Sequence, residues 1–135
     1  MKILTGNALL AVMVLALAGQ ATAATLKTDY AADFEKIHQI NAGVLNVGYS
    51  DIGPRQGEVK ILLHGWPYDI NSYASVAPKL AAKGYRVICP DLRGYGTTRL
   101  LSASTLRNGQ PSAMAEDILA LVDALDIRQA SGARF

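Results

Sequence analysis

An α/β fold with a parallel sheet is predicted by three observations, all within Val59–Thr98. Two short apolar runs, Val59–Leu63 and Tyr85–Cys89, each end in a loop marked by glycine or proline. Between them lies a segment of helical composition that stops at Gly84. The order strand, loop, helix, strand, loop is a βαβ unit, and such units build parallel sheets.

Taken in order, the chain opens with a leader. Lys2 is a minimal positive start, Leu9–Ala18 is uncharged and apolar, and Ala21-Thr22-Ala23 has the small-x-small form that a signal peptidase accepts. The apolar run is shorter than the ~20 residues that span a bilayer. Residues 1–23 are therefore expected to be cleaved and the protein exported, periplasmic or secreted, with no stable membrane anchor left. Residues 24–37 read as an N-terminal extension docked loosely by Tyr30 and Phe34. His38–Ala42 and Val44–Ser50 follow, divided by Gly43. In the second run Leu45, Val47 and Tyr49 alternate with Asn46, Gly48 and Ser50, the period of a half-buried strand. An antiparallel hairpin turning at Gly43 is expected, with His38 a surface or edge residue. Asp51–Gly57 is turn chemistry.

Val59–Leu63 is nearly continuous in apolar character, as in a strand covered on both faces. The helical segment after it is expected to start at Asn71 or Ser72, either of which accepts free N–H groups. Pro78 interrupts it, so a short turn followed by a helix restarting near Pro78 is predicted, with Gly84 as left-handed cap. Leu100–Gln110 is a polar loop. Ser112–Leu125 has helical spacing on one apolar side, with Ser112 as cap and Glu116 and Asp117 in the first turn. Residues 38–130 form the domain, and Ser131–Phe135 reads as an aberrant end in place of a strand.

Of the 135 residues, half are apolar and 18% are charged, with a formal net charge of +2. No Lys/Arg cluster is present, which argues against a nucleic-acid surface. Cys89 is the only cysteine, so no intramolecular disulfide can form, and it reads as a buried small hydrophobe. No His, Cys or carboxylate spacing suggests a metal, and no cofactor is implied. Gly94-Tyr95-Gly96 lacks the third glycine of a dinucleotide loop, because position 99 is Arg.

Two loops carry the candidate chemistry. In His64-Gly65-Trp66-Pro67, a glycine ending a buried strand lets the backbone approach a ligand, and the next N–H can face developing charge on an oxygen. Trp66 would give that N–H, while its ring walls a pocket. The same four residues also fit a tight turn with a core tryptophan. His64 has the chemistry of a general base or of a brace tying this loop to its neighbour, and the second role is expected. The Trp66–Pro67 bond is a candidate for cis. In Pro90–Gly96, Arg93 beside Asp91 predicts an ion pair internal to the loop, and a catalytic Asp91 is the alternative.

HGWP after a strand, then GYRVICPDLRGYGTT, then AEDILALVDALDI, resemble the N-terminal half of an α/β-hydrolase. HGxP with DLRGYG resembles the epoxide hydrolase and haloalkane dehalogenase side of that superfamily, over about His38–Ile127. The resemblance implies an antiparallel first hairpin, then parallel strands with helices. It also implies an oxyanion-hole N–H on Trp66, a structural Pro67, and structural roles for His64, Gly65, Asp91, Arg93, Gly94 and Gly96. The family's nucleophile, Ser or Asp, sits on a G-x-[SD]-x-G elbow, and no such pentapeptide occurs in this sequence. Ser131-Gly132-Ala133-Arg134 resembles the helix start just past an elbow, which suggests a strand and elbow lost to deletion or frameshift. The implied activity is hydrolysis of an epoxide, ester or carbon–halogen bond through a covalent intermediate, with a small, apolar substrate. The sequence as given reads as an incomplete, inactive front half lacking nucleophile, acid and base. A non-catalytic small-molecule binding module and a truncated product without function are the rival readings.

Overall fold

The computed structural model describes residues 29–134, so the expected leader (1–23) lies outside the described residues. Among the described residues no helix is long and apolar enough to cross a membrane. The chain enters through a short helix, α1 (Tyr30–Phe34), capped by the Asp29 carboxylate, which accepts from the Ala31 and Ala32 N–H groups. Phe34 is buried and Tyr30 packs beside it.

Strands β1 (His38–Ala42) and β2 (Leu45–Ile52) form the expected antiparallel hairpin. Gly43 has the positive φ that the tight turn requires. His38 is exposed on the outer strand, its ring tilted against Tyr49. Next come β3 (Val59–Leu63), a 3₁₀ turn (Ile70–Tyr73), α2 (Ala77–Ala82) and β4 (Arg86–Pro90). The 3₁₀ turn is capped by Asp69, whose carboxylate accepts from Asn71 N–H; neither Asn71 nor Ser72 is the cap. Asp69 wins because its extended backbone stands just outside the turn, where a side-chain oxygen reaches the free N–H groups. Pro78 sits at the start of α2, where its missing N–H costs nothing.

A two-residue strand, β5 (Arg99–Leu100), pairs with β2, and a long loop leads to α3 (Pro111–Ala124). Ser112 is not its cap. Pro111 already occupies the first helical turn, so the helix begins one residue earlier, after Gln110. Neither Glu116 nor Asp117 lies in the first turn. The last strand, β6 (Ala130–Arg134), corrects the expectation of an aberrant end: residues 130–134 run parallel to β3, in register from Val59–Ala130 to Leu63–Arg134.

The sheet order is β1-β2-β4-β3-β6, antiparallel across the first two pairings and parallel across the last two. Alternation divides the core into two layers. Ile52, Leu62, Val87 and Cys89 face α1 and α2, whereas Val59, Ile61 and Ile88 face Leu121 and Ile127 around α3. All five residues of β4 are buried, as expected of a central strand covered on both sides. One ion pair ties β2 to β4: Arg86 donates to both carboxylate oxygens of Asp51, at 3.0 and 2.6 Å.

Candidate active site

Because β3 and β4 are adjacent and parallel, the loops that follow them leave the sheet at the same end. In open α/β sheets this carboxyl end is where ligands bind. The two candidate loops, 64–67 and 91–96, therefore lie side by side.

The first loop is a tight turn. Tyr68 N–H donates to the Gly65 carbonyl at 2.8 Å across a cis Trp66–Pro67 bond, which makes Gly65–Tyr68 a type VI turn. Tyr73 Oη–H donates to the Leu63 carbonyl at 2.7 Å, pinning the end of β3 to the 3₁₀ turn. Burial pushes the Tyr73 phenol above its ordinary pKa. None of the hydrogen bonds among the described residues uses the Trp66 N–H. The Trp66 ring is not a core residue: it is 83% exposed, and Tyr68, two positions on, is exposed as well.

His64 is buried, and its Nε2 accepts the Leu92 N–H at 3.1 Å. An accepting Nε2 leaves the proton on Nδ1, which lies 3.3 Å from the Gly65 carbonyl. The Tyr95 ring meets the imidazole edge-on at 4.9 Å. The ring thus bridges the two loops, with both nitrogens engaged.

In the second loop the expected Asp91–Arg93 pair does not form. Asp91 is buried and turns inward, its Oδ2 accepting the Thr97 N–H at 3.0 Å. Gly96 makes room for that carboxylate: a Cβ there would fall 1.9 Å from Oδ2, on a backbone with φ of +46°. Thr98 Oγ1 donates to the Asp91 carbonyl and accepts from Gly48 N–H, locking the loop onto β2. Arg93 turns the other way. Its Nε and Nη2 each donate to Asp117 at 2.6 Å, and Nη1 donates to the Asn108 carbonyl at 2.7 Å. The hydrogen-bonded Asp117 carboxylate raises the Arg93 pKa further. Two residues apart in a loop, Asp91 and Arg93 point to opposite sides, so each finds its partner elsewhere. Gly94 follows at positive φ.

Residue spacing did not single out Asp117, Thr98 or the Leu92 N–H. Asp117 had one available signal: it stands four residues before buried Leu121, so an acid falls on the inward stripe of α3 and calls for a buried cation. Cys89 is fully buried, and desolvation pushes its thiol up to about 12. It is no nucleophile.

A mixed sheet led by an antiparallel hairpin, covered on both faces, with a Gly-Trp-Pro turn and an Asp-x-Arg-Gly-x-Gly loop at the carboxyl ends of neighbouring parallel strands, defines the front of an α/β-hydrolase sheet. The alpha/beta hydrolase fold family matches residues 61–131, and the chain belongs to that family.

Within it the chain is epoxide hydrolase- and dehalogenase-like. It is 73% identical to a candidate epoxide hydrolase of known structure from Klebsiella pneumoniae subsp. pneumoniae, with a TM-score of 0.77, over 78% of this chain and 35% of that one. An epoxide hydrolase from Vigna radiata superposes with a TM-score of 0.67 at 26% identity, over 77% of this chain and 32% of that one. A haloalkane dehalogenase from Mycobacterium marinum is 37% identical over 83 residues, covering 58% of this chain and 28% of the relative. The chain thus spans about a third of the length of the relatives it matches.

Proposed function

We propose that this chain supplies the oxyanion-donor half of an epoxide hydrolase active site, and that turnover requires a nucleophile, acid and base not found among these residues. The observation that carries this reading is the uncommitted Trp66 N–H at the carboxyl end of β3, on a turn that His64 braces against the next loop. The 73% identity to the Klebsiella protein favours an epoxide over an ester or a carbon–halogen bond as substrate. In such a site the N–H stabilises negative charge on oxygen as the covalent intermediate breaks down, an effect of roughly 3 kcal/mol per donor. A donor alone forms no intermediate, so the 135-residue chain is expected to give no burst with an activated ester or an epoxide. A stoichiometric burst that survives Ser131→Ala would overturn this.

The donor role is tested by exchanging the matched segment into the Klebsiella protein. Trp66→Ala keeps the N–H and should leave most epoxide turnover intact. Trp66→Pro removes it and should lower kcat by about 10²–10³. Equal losses in the two variants, in chimeras of matching melting temperature, would refute the donor. We infer export as well, and a mature N-terminus at Ala24 in a periplasmic or culture fraction is the expected result.

A further inference from the structure

A cavity of about 610 Å³ lies between the Arg93–Gly94 stretch and the loop that follows β5, and neither His64, Trp66 nor Pro67 lines it. Its volume falls in the usual range for small-molecule sites, which are mostly apolar with a few fixed polar groups. Leu45, Leu100 and Leu106 give the apolar wall. Leu106 is 83% exposed, so an apolar tail laid against it would remove apolar surface from water.

The charge of the lining is one-sided. Arg93, Arg99 and Arg107 border the cavity, and no Asp or Glu does. Arg93 is neutralised from behind by Asp117. The other two take no part in the ion pairs of the described residues. Arg99 is nevertheless held in place, since its Nη1 donates to the Gly96 carbonyl at 2.7 Å and the Thr98 carbonyl at 2.8 Å. Its Nε and Nη2 remain for a ligand. Arg107 is exposed and makes no hydrogen bond among the described residues, so it is free to close on a bound anion.

We propose that this cavity is a binding site for an amphipathic monocarboxylate, the carboxylate held between Arg99 and Arg107 and the hydrocarbon tail against the three leucines. A guanidinium presents paired donors that match the two oxygens of a carboxylate, and the preset Arg99 loses little freedom on binding. The leucine wall gives a small inorganic anion nothing to bury, and the arginines give an uncharged alkane nothing to pair. Both halves of the ligand are needed. This site stands independently of the hydrolase reading.

The test is calorimetric titration of the full chain with octanoate, octanol and acetate in the same buffer. Octanoate should bind saturably at one site, with octanol and acetate each weaker by about tenfold or more. Arg107→Gln should weaken octanoate by about tenfold with an unchanged melting temperature, because Arg107 is exposed and holds no hydrogen bond or ion pair among the described residues, whereas Arg128→Gln, outside the cavity, should change nothing. Absence of saturable octanoate binding would overturn the proposal. Equal affinity for octanol, or an Arg107→Gln variant that binds octanoate like the parent, would overturn it too.

Discussion

Removing Arg93 should be one of the most damaging single changes outside the apolar core. The two Arg93–Asp117 hydrogen bonds are both 2.6 Å, and the side chains are only 13% and 9% exposed. Charges about 4 Å apart at an effective dielectric of about 20 attract by about 4 kcal/mol. Desolvating both ions offsets much of that, so the intact pair adds little net stability. Deleting one partner is different, because the survivor stays buried and loses its compensation, at about 3–5 kcal/mol. Residual exposure places Arg93→Met near the low end, about 3 kcal/mol. Asp117→Leu should cost a similar amount by stranding the guanidinium. The double variant strands no charge, so it should recover at least about 2 kcal/mol relative to the sum of the singles. Urea denaturation with linear extrapolation, at constant m, measures all four corners of the cycle. Additivity within about 0.5 kcal/mol would refute a buried, coupled pair.

Three further outcomes follow from the same loops and the strand beside them. Gly96→Ala should destabilise by about 2–3 kcal/mol, since its Cβ meets the buried Asp91 carboxylate at φ +46°. Gly94→Ala, at φ +84° with nothing within 4 Å, should cost only the backbone term of about 1–2 kcal/mol, and thermal melts separate the two. His64→Phe keeps the bulk but strands the Leu92 N–H, so about 1–3 kcal/mol is lost and exchange of the Leu92 amide speeds up; unchanged exchange would contradict the brace. The Cys89 thiol ordinarily titrates near 9 and is pushed up to about 12 in the fold. Only the unfolded chain then releases a proton between pH 9 and 12, so its contribution is complete below pH 9 and falls by about 1.4 kcal/mol per unit above it. Tyr49 and Tyr73, raised by burial, add to the fall at the upper end. Cys89→Ala should flatten the decline in urea midpoint across this window, and an identical decline would count against burial as its cause.

The βαβ core was legible because its signals are local. Val59–Leu63 and Arg86–Pro90 are largely apolar runs, broken only by Lys60 and Arg86, and Gly84 and Pro78 punctuate the helix between them. β6 was illegible for the opposite reason. Ala-Ser-Gly-Ala-Arg has no β-branched or aromatic residue, and pairing with β3 is what makes it a strand. The same division holds at the site. The HGWP and DLRGYG loops announce themselves by glycine and proline, but the partners of Arg93 and Asp91 do not. Proximity in sequence suggested that these two pair with each other. A tight loop instead sends successive side chains to different sides, and only the packing of α3 against the loop brings Asp117 within reach.

That division of partners bears on how firmly the proposed Trp66 donor would be held. An oxyanion donor is effective only when its direction is fixed before charge develops, and a loop at a sheet end is ordinarily among the softer parts of a fold. Here three elements and one side chain hold the two loops at once. The 3₁₀ turn fixes the end of β3 through Tyr73, the imidazole of His64 ties one loop to the other, β2 holds the second loop through Thr98, and α3 holds it through Asp117. Tyr73, Thr98 and Asp117 tie the loops to three different elements, so no single local motion relaxes them all. Within this frame the Trp66 N–H is a donor at the sheet end that none of these bonds consumes. On the proposed donor reading, Asp117→Leu or Thr98→Ala, carried in the matched segment exchanged into the Klebsiella protein, should lower kcat more than Trp66→Ala does, because those bonds and not the Trp66 ring hold the loops.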